Sequence, residues 1–159
     1  MSHRNREQQC VLIVEDFLDA REMYQMFLEH SGFCVYTAEN AVVGIALALE
    51  HRPQLIIMDA GLPGMSGWEA VQELKADPRL RSTPVFMLTG HVLADSRDKA
   101  RAVGADGFIA KPCLPDELLK VIRTALAHQG EPGPWPSEDT PMPQSSAAKK
   151  PAGSRKKRR

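Results

Sequence analysis

Residues 55–58 read LIIM, four apolar side chains in a row, and the next residue is the acid Asp59. A half-buried strand alternates apolar and polar residues, so an unbroken apolar run of strand length suits a strand covered on both faces. That is the situation inside a parallel sheet. The acid then stands where the strand leaves the sheet, followed by the Gly- and Pro-rich loop AGLPGMSG at 60–67. Burying a carboxylate without a partner costs free energy, so Asp59 requires company at that strand end.

The rest of the chain supplies the sheet that such a strand needs. CVLIV at 10–14 reads as a strand ending in Glu15 and Asp16. Residues 17–30 have helical spacing, with Phe17 or Leu18, Arg21, Met23, Met26, Phe27 and Leu28 on one face, and Gly32 closes the helix. FCVYTA at 33–38 is a second strand. Asn40 can cap a helix over 41–51 with apolar Val42, Val43, Ile45, Ala46 and Leu49, which Pro53 stops. Ser66 can cap a third helix over 67–76 with Trp68, Val71 and Leu74 inward. PVFML at 84–88 leads to Thr89, a more polar helix over 94–103 ends at Gly104, and GFIA at 107–110 leads to Lys111 and Pro112. Pro115 opens a last helix, running to about 128, with Leu118, Leu119, Ile122 and Leu126 apolar.

Five strand–helix alternations of this length predict an α/β fold, a parallel sheet with helices on both faces. In such sheets ligands bind at the carboxyl ends of the strands. Glu15, Asp16, Asp59, Thr89 and Lys111 all fall at those ends. Strand 1 beside strand 3 would gather three acids, a hydroxyl and a cation in one crevice.

The net charge of zero hides an asymmetry. Of 20 Lys/Arg and 20 Asp/Glu, residues 129–159 hold 7 and 3, leaving 13 and 17 in residues 1–128. The segment 129–144 has five prolines in sixteen residues and no periodicity, and the chain ends in KKPAGSRKKRR. This predicts a flexible N-terminus over 1–8, a folded domain over 9–128 and a disordered Pro-rich linker and basic tail over 129–159. The tail buries too little to hold a folded DNA-binding domain. No apolar run reaches the ~18–20 residues of a membrane span, and the polar start lacks a signal peptide. Cys10, Cys34 and Cys113 match no metal-ligand spacing and read as reduced thiols of a cytoplasmic protein, the first two packing in strands.

VLIVED at 11–16, LIIMDAGLPGMSGWE at 55–69, MLTG at 87–90 and GADGFIAKP at 104–112 together resemble the receiver domain of two-component response regulators. The match covers about residues 9–128, and the loop after Asp59 and the Lys-Pro pair are its most specific parts. The resemblance implies a stand-alone, chemotaxis-regulator-like protein with a flavodoxin-like (βα)5 doubly wound sheet in strand order 2-1-3-4-5. It implies a signalling role, not an enzyme's: Asp59 takes a phosphoryl group from a histidine kinase or phosphotransfer protein and switches contacts with a downstream protein. Glu15 and Asp16 are implied as the acid pair that holds Mg²⁺ with Asp59 and the Gly61 carbonyl. Thr89 and Lys111 are implied to contact the phosphoryl group, and Thr89 and Phe108 to form the switch. Glu15 stands where Asp is more frequent, Gly90 where Ala is common and Cys113 where an aromatic is frequent.

The residues support that chemistry on their own terms. Phosphoryl transfer needs an in-line nucleophile and neutralised equatorial oxygens. A carboxylate can be the nucleophile, a hard cation suits clustered acids, and Lys111 is a point charge for a phosphoryl oxygen. His91, two residues after Thr89, falls either on the site rim or in an ordinary exposed loop. Two other readings stand beside this one. A nucleic-acid-associated adaptor would work through the basic run from Arg155 to Arg159, by charge on nucleic acid or an anionic surface. A phosphatase-like enzyme would use Asp59, but Gly61 stands where it needs a second acid.

Overall fold

The computed structural model of the protein describes residues 7–90 and 94–128. His91, the segment 129–159 with its basic run, and residues 1–6 of the N-terminus therefore lie outside the described residues.

Five strands and five helices alternate: β1 (Cys10–Val14), α1 (Leu18–His30), β2 (Cys34–Ala38), α2 (Ala41–His51), β3 (Leu55–Asp59), α3 (Gly67–Ala76), β4 (Val85–Thr89), α4 (Ala94–Ala102), β5 (Gly107–Ala110) and α5 (Pro115–Ala127). The sheet order is β2-β1-β3-β4-β5 and every pair is parallel. All five residues of the central β3 are buried, as its unbroken apolar run requires.

The two faces of β3 feed two cores. Ile56 and Met58 join Leu12, Val14 and Met87 beneath α2, α3 and α4, where Ala48, Val71, Leu74 and Ala100 meet them. Leu55 and Ile57 join Val11 and Ile13 beneath α1 and α5, where Tyr24, Leu28, Leu118 and Ile122 meet them. Full burial of each large aliphatic side chain contributes roughly 1.5–3 kcal/mol, which makes this double cover the main source of stability.

The caps fall where the residue types ask for them. Asn40 Oδ1 accepts from Val43 N at 2.9 Å, and Ser66 Oγ accepts from Glu69 N at 3.2 Å. Gly32 and Gly104 close α1 and α4 at φ 97° and 88°, a region that favours glycine.

Two helix faces differ from the sequence expectation. In α1 the sheet-facing residues are Ala20, Tyr24, Phe27 and Leu28, whereas Leu18, Met23 and Met26 are exposed, Met26 at 72%. Positions 20, 24, 27 and 28 are also a helical stripe, displaced around the helix from the methionines, and its central member is disguised by a hydroxyl. In α2 the small residues Ala41, Gly44 and Ala48 are buried, while Val42 and Val43 point outward. The helix lies too close to β1 for a larger residue: a Cβ on Gly44 would stand 2.7 Å from Val14 Cγ2.

Candidate functional site

The strand ends converge as the acid-bearing sequence predicts. Glu15 continues the edge of β1, its amide donating to Ala38 O at 3.0 Å, and its side chain is almost wholly buried. Asp16 follows and is exposed. Arg21, one turn into α1, donates from Nη1 to the carbonyl oxygens of Glu15 and Asp16 at 2.8 and 3.4 Å. It holds the acid-bearing loop against the helix, a role that the sequence reading of Arg21 missed.

Asp59 is the last residue of β3 and is 4% exposed. Its Oδ1 accepts from Gly61 N at 3.0 Å. The loop returns at once: Gly67 N donates to Ala60 O at 3.2 Å. A Cβ on Gly67 would fall 1.9 Å from the carbonyl oxygen of Asp59, so only glycine allows α3 to start directly against the end of β3. The Ser66 cap marked this helix start in the sequence, but nothing local marked the close approach to Asp59.

Lys111 closes the site from β5. Its amide donates to Thr89 O at 2.8 Å, which locks the ends of β4 and β5 together. Its Nζ donates to Glu15 Oε2 and to Asp59 Oδ2, each at 3.0 Å. Thr89 ends β4 and is buried. Phe108 pairs with Met87, two residues before Thr89, so by strand alternation it lies on the same sheet face as Thr89. Its ring is 8% exposed within the core under α4, with the Arg97 guanidinium 5.7 Å from its centre.

Glu15 and Asp59 thus share one ammonium, with the Asp16 carboxylate beside them. Oxygens of Glu15, Asp16 and Asp59 all lie within 4.8 Å of one another. Burial pushes the Glu15 carboxyl above its ordinary range, and the Asp59 charge adds to this against the pull of Lys111. Burial alone would lower the Lys111 ammonium, but its hydrogen bonds and ion pairs with Glu15 and Asp59 prevail and raise it. The site therefore carries an excess of negative charge behind walls that limit solvent screening. Its oxygen donors fit a hard divalent cation with several retained waters.

The cleft has further walls that the sequence did not assign to it. Trp68 and Lys99 both line it, and Lys99 Nζ lies 4.9 Å from the centre of the Trp68 ring. Tyr24 donates its hydroxyl to Cys113 O at 2.8 Å and ties α1 to the segment after Lys111. Burial pushes both the Tyr24 hydroxyl, to about 12, and the Cys113 thiol, to about 11, so neither ionises near neutrality.

Known proteins are similar to this chain in sequence and fold. A family model described as response regulator receiver domain matches residues 11–123. Response regulator Rre1 of Synechocystis sp. is 38% identical over 120 residues, 75% of this chain and 52% of that protein. The polar-differentiation response regulator DivK of Brucella anthropi is 34% identical over 116 residues, 73% of this chain and 94% of that protein. The chain thus spans about half the length of the first relative and nearly all of the second. The structure of the chemotaxis protein CheY4 of Vibrio cholerae superimposes with a TM-score of 0.70 at 33% identity, over 73% of this chain and 97% of that one. With the family match spanning most of the chain, the strand order and the gathered strand ends, the protein belongs to the response regulator receiver domain family of two-component signalling.

Proposed function

We propose that Asp59 is the phosphoacceptor of this receiver domain. The observation that carries this reading is the placement of the Asp59 carboxylate. It is buried at the mouth of the central strand, 3.0 Å from the Lys111 ammonium and grouped with Glu15 and Asp16. An Asp59 oxygen attacks the phosphorus of a donor in line, the bond from phosphorus to the donor atom breaks, and an acyl phosphate forms on Asp59. The donor in this reading is the phosphohistidine of a histidine kinase or phosphotransfer protein. Water later cleaves the acyl phosphate, which ends the signal.

Glu15, Asp16 and Asp59, with the Gly61 carbonyl, would hold Mg²⁺. When bound, the cation neutralises the gathered negative charge and makes the approach of an anionic phosphoryl group favourable. Lys111 orients Asp59 before transfer and neutralises a phosphoryl oxygen after it. The Thr89 hydroxyl donates to another. Phosphorylation adds about −1.5 to −2 charges at this point. Thr89 drawn toward that charge leaves space on its sheet face, and Phe108, two residue pairs back, turns into it. The exposed surface of α4, β5 and α5 is then the face read by a downstream protein.

The working unit is the domain over 9–128, flanked by 1–8 and 129–159. The cytoplasm is its place in this reading. Free thiols support it, as does the finding that no helix among the described residues is long and apolar enough to cross a membrane.

The test is labelling of the full chain with acetyl phosphate and Mg²⁺. Wild type takes up one phosphoryl group and Asp59→Asn takes up none. Equal labelling of the two would move the phosphoacceptor elsewhere.

A further inference from the structure

The opposite end of the sheet carries a pair of groups that phosphorylation does not use. Cys10 opens β1 and Cys34 opens β2, and the two are direct partners across the strands. Both are free and half-buried. Strand alternation puts both thiols on the sheet face of Leu12 and Tyr36, beside the amino end of the core under α2. The Cys10 thiol donates to Gln8 O at 3.7 Å, and the Cys34 thiol and the Tyr36 hydroxyl are its side-chain neighbours. The Tyr36 ring is itself held by stacking on His51, with ring centres 4.1 Å apart.

The backbone under the pair is pinned. Cys10 N donates to Gln54 Oε1 at 2.6 Å, Gln54 N donates to Cys10 O at 2.9 Å, and Cys34 N donates to Gln9 O at 2.9 Å. β2 is an edge strand, so the thiols are reached from the side of the sheet.

This geometry discriminates between the uses of two thiols. Neighbouring strands stand about 4.8 Å apart. A disulfide needs Cβ atoms about 3.8 Å apart and a sulfur–sulfur bond of about 2.05 Å, so closing one would drag two pinned strands together. Two metal–thiolate bonds of about 2.3 Å laid end to end span nearly the interstrand distance. Burial, reinforced by the neighbouring Cys34, raises the Cys10 thiol to about 11, so it stays protonated near neutrality until a cation displaces the proton. A tetrahedral zinc site would need more donors. Among the described residues only Glu15, Asp16 and Asp59 form a group of three or more such ligands. Two soft donors and no third select a soft cation content with two sulfurs.

We propose that Cys10 and Cys34 form a two-thiolate site for a soft monovalent cation, of which Cu(I) is the probe, at the end of the sheet remote from Asp59. Binding transfers no electrons: each thiol releases its proton to solvent, and each sulfur donates a lone pair to the cation. The Tyr36 hydroxyl donates to one of the sulfurs and steadies it. The bound cation then clips the edge strand β2 to β1.

The full chain, reduced and kept free of oxygen, is titrated with Cu(I) against a chromophoric Cu(I) chelator. Wild type is expected to withdraw one Cu(I) per chain. Cys10→Ser and Cys34→Ser should each lose affinity by more than about 100-fold, Tyr36→Phe by about 10-fold, and Cys113→Ser should match wild type. Thermal unfolding without copper shows that each variant is folded, and with copper it should rise for wild type and Cys113→Ser, less for Tyr36→Phe, and least for Cys10→Ser and Cys34→Ser. The proposal is overturned if wild type withdraws no Cu(I), or if the Cys10 and Cys34 variants withdraw it as wild type does. It is overturned equally if a mild thiol oxidant converts wild type within minutes to a species two hydrogens lighter, with Cys10 joined to Cys34. Such a product would mean that the strands do approach and that the pair is a redox couple.

Discussion

Acids meet lysines at both ends of this sheet, with opposite outcomes. At the amino ends of β4 and β5, Asp106 Oδ2 accepts from Lys75 Nζ at 2.7 Å and from Val85 N at 2.8 Å. The same ammonium donates to Thr83 O and Arg81 O at 2.8 and 3.3 Å. One negative charge faces one positive charge, and all three donors of the lysine are used. At the carboxyl ends, Glu15 and Asp59 both pair with Lys111, and Asp16 brings a third carboxylate oxygen within 4.8 Å of theirs. The first arrangement is complete and joins α3 to the sheet. The second is left negative by construction, so it gains stability from whatever cation enters it. A structural acid and a site acid differ here in charge balance, not in residue type.

The largest effect that separates the two ends is on phosphorylation. Asp59→Asn should reduce labelling by acetyl phosphate more than about 100-fold, since the substitution removes the nucleophile. Asp106→Asn should label at the wild-type rate while unfolding at a lower temperature. If labelling falls equally in both, the distinction between the ends is wrong.

Lys111→Met leaves two nearly buried carboxylates without their cation and should destabilise the protein by about 3 kcal/mol in chelator. Mg²⁺ at millimolar concentration should recover much of that loss. Lys75→Met should cost about 2 kcal/mol, less because the Asp106 side chain is 40% exposed. Mg²⁺ should restore nothing there. Denaturant melts of both variants with and without Mg²⁺ compare the ends directly.

The smallest effect has the most specific sign. The Glu15 carboxyl lies above its ordinary value of 4.5, burial being the main cause. The folded protein without a divalent cation therefore holds that proton more tightly than the unfolded chain does. The contribution of Glu15 favours folding below pH 4.5 and is lost as pH rises through the raised value. Glu15→Gln should thus be more stable than wild type at pH 7 in chelator, and the gap should close toward pH 4. With Mg²⁺ the order should reverse, because Gln removes a charged ligand. A gap independent of pH would sink this account of Glu15.

The strand cores and the chemistry at their ends were legible because both are local. Residues 55–58 announce a doubly covered strand by composition alone, and Asp59 announces its end. The positive-φ glycines Gly32 and Gly104 and the caps Asn40 and Ser66 likewise act within a few residues of themselves. The faces of α1 and α2 were not legible in the same way. Methionine and valine are apolar on either side of a helix, and burial is decided by distance to the sheet. Tyr24 is buried because its hydroxyl finds Cys113 O, 89 residues away, and Gly44 is buried because Val14 leaves room for nothing larger. Arg21, read as part of a stripe, holds the Glu15 loop, and Gly67, read as the start of α3, lets that helix touch Asp59.

Strand register divides the two sources of information most sharply. The chain alone determines which residues end each strand, since hydrophobic runs and turn residues are read in order along it. Runs and turns do not by themselves determine which strands are neighbours; the order 2-1-3-4-5 was legible only through the resemblance of the motifs to receiver domains. The order β2-β1-β3-β4-β5 puts β1 between β2 and β3. That placement sets Glu15 beside Asp59 at one end and Cys10 beside Cys34 at the other. Lys111 arrives from β5, two strands away from β3, because its long side chain can cross the end of β4 to reach both acids. Sequence fixes side-chain chemistry one residue at a time, whereas charge balance and ligand sets are sums over neighbours. Those neighbours exist only once the sheet has closed.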